Sequence, residues 1–291
     1  MKSSNIGGQA VMEGIMMRSG DQYSIGVRKP DGEIEVKVEP YRSWAKDSSI
    51  WKLPVFRGVA SFFESLVVGI RCLMYSASFI EDEEEDAKKP GKEKTEEQKE
   101  KEEKWLMYGT MTFSVIFSIA LFIMLPYFLA GFLRNVTTSE GVIAVAEACV
   151  RMILFLGYLV LISRMKDIQR VFMYHGAEHK CINCVEHGLE LNVENVMKSS
   201  REHKRCGTSF LLFVMIVSII FFLFIRVSSP VLRVVIRLLL MPVIAGVSYE
   251  IIRLAGKSDN KIVALLSKPG LMLQLFAVCH DRQHYFLFVY P

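Results

Sequence analysis

Four apolar runs between about Leu106 and Ala255 constrain this chain most, because roughly twenty such residues suffice to cross the hydrocarbon core of a bilayer. They are about Met107 to Leu133, Val142 to Ser163, Phe210 to Ile225 and Val231 to Ile252. The second run holds Glu147 and Arg151, four residues apart and so on one helical face, able to pair. Such a pair is expected to face protein rather than lipid. The fourth run carries Arg233, Arg237, Pro242 and Glu250 and is the weakest of the set. With 51% hydrophobic residues among 291, the chain reads as a mainly α membrane protein. Its expected parts are about four transmembrane helices, one interfacial helix and a small N-terminal β-hairpin region on the cytosolic side. A transporter working through Glu147, Arg151 and Arg237 is a weaker reading, because no pair of Gly/Pro-broken helices accompanies them.

The remaining segments fall around these runs. Residues 1–55 form an N-terminal cytosolic, β-containing region. Within it Tyr23 to Arg28 and Glu33 to Val38 alternate like strands, and Pro30-Asp31-Gly32 between them is a turn signal. Residues 56–80 are apolar but carry Arg57, Glu64 and Arg71 along one helical face, which predicts an interfacial or re-entrant helix. Residues 81–104 open with Glu81-Asp82-Glu83-Glu84-Glu85-Asp86 and are expected to be a charged, solvated linker. Residues 105–164 then hold transmembrane helices 1 and 2, 165–209 a cytosolic loop, 210–256 helices 3 and 4, and 257–291 a cytosolic tail.

Orientation follows from basic residues beside the spans. Arg164, Lys166, Arg170, Lys180, Lys198, Arg201 and Lys204 lie in the central loop, and Arg253, Lys257, Lys261 and Lys268 follow the fourth run. The links near Arg134 to Glu140 and near Ser228 are poor in them. The expectation is a multi-pass protein of the cell membrane with both termini cytosolic, and Met1 is not followed by a signal-peptide pattern. A net charge of +4 with no basic-aromatic stripe argues against nucleic acid and leaves the lipid bilayer as the implied partner. Without a secretory context the six cysteines are expected to be reduced thiols or metal ligands.

The sharpest chemical signal is Tyr174-His175-Gly176-Ala177-Glu178-His179-Lys180, in which His175, Glu178 and His179 fit the spacing H-x-x-E-H. On a helix, i and i+4 share a face, so both imidazoles can reach one metal. Ile168, Val171, Phe172, His175, His179 and Ile182 keep the helical period and predict a helix continuing out of the second run. Glu178 would stand beside the metal, where a carboxylate can take a proton from water acidified to a pKa of about 7. A catalytic zinc needs a third protein ligand. His203 or Cys206, placed just before the third run, would supply it. Cys181 and Cys184 form a single CxxC and read first as buried thiols. Glu13 is a distant oxygen donor, and His280 and His284 near the chain end are read as incidental.

Four motifs carry a resemblance to a known family. Gly7 to Arg18, Val171 to Lys180, His203 to Phe210, and Pro242 to Gly256 together resemble the YqhQ-like family of bacterial membrane proteins, described as predicted metal-dependent enzymes. The likeness covers most of the chain outside the charged segment. It departs after Pro269-Gly270-Leu271, where the end reads Cys279-His280-Asp281-Arg282-Gln283-His284. The resemblance implies a metal at His175, Glu178, His179, His203 and Cys206, and no particular substrate.

The resulting expectation is a membrane-embedded metal-dependent hydrolase, peptidase- or amidase-like, with its site at the cytosolic membrane surface and a membrane or peptide substrate. A divalent metal, zinc before others, would be held by His175, His179 and one or both of His203 and Cys206. Glu178 would be the general base and Arg205 an oxyanion partner. The alternative is a non-catalytic scaffold or partner subunit in which His175, His179, His203 and Cys206 close a structural metal site.

Overall fold

The computed structural model describes residues 4, 6–47, 49–86, 96–203, 205–225, 227, 229–257, 260 and 267–274. The His280 and His284 pair and most of the tail lie outside them, as do residues 87–95 of the charged segment. Among the described residues the chain is mostly helical. Four strands, β1 (Gly7–Val11), β2 (Gly14–Ser19), β3 (Gln22–Arg28) and β4 (Ile34–Pro40), precede eight helices: α1 (Phe56–Asp86), α2 (Glu96–Ile119), α3 (Leu125–Gly131), α4 (Glu140–Ile162), α5 (Lys166–Glu186), α6 (Val193–Lys198), α7 (Gly207–Phe224) and α8 (Pro230–Lys257). Five stretches are long and apolar enough to cross a membrane: Phe56–Ile80, Trp105–Asn135, Glu140–Ile162, Gly207–Phe224 and Val231–Gly256. The sequence reading counted four and set residues 56–80 apart as interfacial. By length and composition alone that segment qualifies as a fifth.

The strands form one antiparallel sheet in the order β1-β2-β3-β4. The hairpin expected around Pro30-Asp31-Gly32 is β3–β4, in register from Arg28↔Ile34 to Gln22↔Pro40. Its turn is closed by the Gly32 N–H donating to the Lys29 carbonyl at 2.9 Å, with Gly32 at φ 89°, a value L side chains rarely adopt. The Gly-punctuated stretch before it, for which no strand was expected, folds into β1 and β2. Gly14 is required where β2 meets β3, since a Cβ there would lie 2.2 Å from the Gly26 carbonyl oxygen.

The chain divides into two units, one of Met1–Glu83, Val160–Ser218 and Leu240–Pro291, the other of Glu84–Leu159 and Ile219–Leu239. In the first, the sheet is packed on both faces along β1 and β2, while β4 is largely exposed. On one face Val11, Met16, Tyr23, Ile25, Val27 and Tyr41 pack with Cys72, Val68, Tyr75 and Phe79 of α1, residues spaced to share one helical stripe. On the other, Ala10, Ile15 and Met17 pack against Tyr174 and Ala177 of α5. The Cys181-x-x-Cys184 pair lies in an apolar cluster with Val196 and Met17, as expected of buried thiols. Burial pushes the Cys181 thiol up to about 12.

Helix α1 is pinned by its polar residues rather than exposing them. Glu64 is buried and accepts from the Ser43 hydroxyl at 2.6 Å, from the Tyr41 hydroxyl and from the Ala45 N–H at 3.3 Å. Arg57 donates twice to Glu250 of α8, at 2.6 and 2.5 Å. The two helices approach through glycines: a Cβ on Gly58 would lie 2.7 Å from the Gly246 oxygen, and one on Gly246 would lie 2.5 Å from the Val55 oxygen. Because those neighbours are backbone atoms, Gly246→Ala should cost about 1–3 kcal/mol. Thermal unfolding of the detergent-purified variant checks this, with a Tm several degrees lower expected and an unchanged Tm counting against the contact.

Within the charged segment read as a linker, residues 81–86 and 96–104 are helical, because Glu and Lys are good helix formers and extending an existing helix carries no nucleation cost. One sequence expectation is corrected: the histidine helix does not run on from the second apolar run. Helix α4 ends at Ile162, and α5 begins at Lys166 after Met165, whose backbone is extended at ψ 130°.

Candidate metal centre

Helix α5 lies on the sheet through Tyr174, Ala177 and Cys181, so the flank holding His175, Glu178 and His179 is turned beyond β1. Strand β1 crosses close above it: a Cβ on Gly8 would sit 2.5 Å from Glu178 Oε1, so any side chain there would displace that carboxylate. Cys206 directly precedes α7, and its Sγ meets the Thr208 N–H at 3.4 Å and the Thr208 hydroxyl at 3.0 Å. Helix α5 and the start of α7 bring together His175, His179 and Cys206, whose ligand atoms all lie within 4.8 Å of one another.

The orientation of each imidazole is set by its other nitrogen. His179 Nδ1 donates to the Arg201 carbonyl at 2.6 Å, which leaves Nε2 as the lone-pair nitrogen. Among the described residues that buried Nε2 has no hydrogen-bond partner, an arrangement that costs free energy unless something fills it. His175 Nδ1 meets Glu178 Oε2 at 2.9 Å, and its Nε2 is 3.0 Å from Cys206 Sγ. An imidazole that gives one N–H to a carbonyl or carboxylate and turns the other nitrogen inward is the usual outer support of a metal-binding histidine. Burial disfavours the thiolate, yet the His175 hydrogen bond and the nearby His179 hold the Cys206 thiol well below its ordinary range. On His175 burial opposes the charge, and hydrogen bonds to Cys206 and Glu178 override it and raise the imidazole. Two imidazole nitrogens and a soft sulfur in thiolate form make a donor set suited to zinc.

The other expected site residues sit beside this cluster. His203 is buried, with Nε2 3.4 Å from Glu186 Oε2 and its backbone N–H donating to Gln274 Oε1 at 3.0 Å. Burial, His179 and Arg205 hold its imidazole below the ordinary value. Arg205, expected as an oxyanion partner, forms an ion pair with Glu186 and lays its side chain over Gly256. Glu13 is not near the cluster's ligand atoms. It forms an ion pair with Arg170 and accepts from the Tyr174 hydroxyl at 3.2 Å, from a turn where its own φ is 51°. Three residues went unnoticed in the sequence. Glu186 accepts from the Ser4 N–H and hydroxyl, both at 2.9 Å, and from Arg205. Gln274 bridges the His203 carbonyl at 2.9 Å and the Ser209 hydroxyl at 2.7 Å. Asn183 ties α5 to the Ser200 carbonyl at 2.7 Å and the Glu202 carbonyl at 3.0 Å. Asn183 and Glu186 share a helical flank with His179, one and two turns on, which is the signal that could have found them.

Fold and site together define a mostly helical protein with five helices of membrane-spanning length, a four-stranded sheet and a buried cluster of two histidines and a cysteine. The chain belongs to the DUF1385 family, described as a protein of unknown function, whose model matches residues 53–283. It is 38% identical over 271 residues to the Uncharacterized protein YqhQ of Bacillus subtilis (strain 168), covering 92% of this chain and 85% of the relative. No solved structure matches. The likeness carried by the four sequence motifs is therefore a family membership, and neither match brings a metal or an activity with it.

Proposed function

We propose that this chain is a multi-pass membrane protein of the cell membrane and a metal-dependent hydrolase, with its site at the cytosolic membrane surface. His175 Nε2, His179 Nε2 and Cys206 Sγ hold one zinc ion. The observation that carries the reading is the buried, partnerless Nε2 of His179, aimed at the same space as Cys206 Sγ and locked there by the Arg201 carbonyl. Three protein ligands with one position left open is the pattern of catalytic rather than structural zinc. The scaffold alternative needs His203 as a fourth ligand, and the three-ligand reading is supported by the grouping of ligand atoms from His175, His179 and Cys206 without His203 among the described residues. When bound, zinc would supply a Lewis acid and bring the pKa of a water down to about 7.

Within the chain, Glu178 holds His175 through Oε2 and is the group placed to accept a proton. Arg205 and Glu186 position the loop that carries Cys206. The membrane reading draws on the apolar helices and on the basic residues around α5. It also draws on α1, where Val68, Cys72, Tyr75 and Phe79 lie under the sheet and Glu64 is satisfied by Tyr41 and Ser43. A helix whose apolar stripe is covered by the sheet and whose polar residues are paired on the same side lies at the membrane surface rather than across it.

The Glu178→Gln variant tests the assignment. Gln can still accept the His175 N–H but cannot take a proton, so zinc content should stay near one equivalent while hydrolysis falls by roughly 10²-fold or more. A Gln variant with wild-type turnover removes Glu178 as base. A second reading rests on one observation: Cys206 Sγ, His175 and Glu178 Oε2 are aligned at 3.0 and 2.9 Å like a thiol nucleophile, its base and the base's orienting carboxylate, at a helix start. Stoichiometric zinc that protects Cys206 from iodoacetamide favours the metal. Rapid alkylation of metal-free protein that retains activity favours the thiol.

A further inference from the structure

The second unit carries a polar cluster that the metal centre does not use. Arg151 donates to Glu147 Oε1 at 2.6 Å, and Arg237 reaches the same carboxylate at 2.6 and 3.0 Å. All three are buried, Arg151 at 3% and Arg237 at 4% exposure. Both guanidinium groups lie over the Phe222 ring, at 4.9 and 4.8 Å from its centroid. Two guanidiniums against one carboxylate leave one positive charge over, inside helices of membrane-spanning length. A charge in that setting is costly unless paired.

The donor count points the same way. Two guanidiniums offer ten N–H donors. Among the described residues their acceptors are the two Glu147 oxygens and the Phe122 carbonyl, which takes the Arg151 Nε–H at 3.2 Å. That carbonyl sits in a π-helical segment, Ala120–Met124, and π-helical turns recur at functional sites. Arg151, Arg237, Glu147 and Phe222, with Ala144 and Leu223, line a half-open cavity with room for a single occupant of about water size.

We propose that this cavity binds one small, singly charged anion of halide size, which neutralises the excess guanidinium charge. The site rests on the membrane reading above and is independent of the metal centre. Arg237 supplies the excess charge. Without it Glu147 and Arg151 remain as a neutral pair four residues apart on α4.

Thermal unfolding of the full-length protein in an uncharged detergent, dialysed into sodium chloride or into sodium gluconate at equal ionic strength, tests this. Chloride should raise the Tm by roughly 5 °C over gluconate, an anion too large for the cavity. Arg237→Leu should fold and lose the difference, and Glu147→Gln, with a larger charge excess, should enlarge it. Equal Tm values in the two salts overturn the proposal. So does an Arg237→Leu variant that keeps the whole shift, or a shift produced by phosphatidylglycerol micelles and not by chloride. Alkaline carbonate extraction of membranes reads the membrane assignment separately. A chain washed off by carbonate overturns that assignment whatever the salt dependence shows.

Discussion

His179→Ala protein, purified at full length from membranes, is expected to carry less than about a tenth of an equivalent of zinc where the wild type carries about one. The effect should be this large because His179 Nε2 is buried beside Cys206 Sγ and has no geometric hydrogen bond among the described residues. Removing one of three ligands also leaves a neighbouring thiolate and imidazole without their shared cation. His175→Ala and Cys206→Ser should behave alike. His203→Ala should keep its zinc, because the imidazole of His203 pairs with Glu186 and lies outside the three-residue ligand group. Metal content by mass spectrometry across these four variants separates a three-ligand site from a four-ligand one. Loss of zinc from His203→Ala as complete as from His179→Ala would revive the closed structural site.

The second large effect is expected in the second unit. Glu147→Ala removes the single carboxylate shared by Arg151 and Arg237 and leaves two buried guanidiniums facing each other. Breaking a buried pair in this way typically costs about 3–5 kcal/mol, because the remaining charge is uncompensated. The expected outcome is a protein that accumulates poorly and unfolds many degrees below the wild type. The double variant Glu147→Ala/Arg237→Leu should recover part of the loss, since it carries one fewer stranded charge. A single variant with wild-type Tm would show that water reaches these groups.

How far the chain could be read in advance depended on whether the deciding contacts were local. The β3–β4 hairpin was legible because Pro30-Asp31-Gly32 sits between alternating runs, and a turn of that kind sets its own register. Strands β1 and β2 were not, because Gly7, Gly8 and Gly14 weaken the strand pattern. Two of those glycines answer to other segments: Gly8 makes way for Glu178 and Gly14 for Gly26. Apolar length alone made residues 56–80 qualify as a span, whereas the polar residues Arg57 and Glu64 carried the information about their surroundings.

The site divides along the same line. His175, Glu178 and His179 stand out from spacing on one helix, and Cys206 from its position before an apolar run. Ranking Cys206 against His203 needed the fold, because the choice turns on Glu186, whose Ser4 partner is 182 positions away in the chain. The same carboxylate engages Arg205, which the sequence offered as an oxyanion partner. Glu147 and Arg151 were readable as an i, i+4 pair. The addition of Arg237 to the same carboxylate was not, being 90 positions distant.

X-ray absorption at the zinc edge on the full-length, detergent-purified protein tests the central claim most directly. The expected spectrum is one sulfur at about 2.3 Å and two imidazole nitrogens at about 2.0–2.1 Å, with one further light atom that exchanges when azide is added. A shell with three imidazoles and one sulfur that ignores azide, or protein that takes up no stoichiometric zinc after metal loading, would contradict an open three-ligand centre at His175, His179 and Cys206.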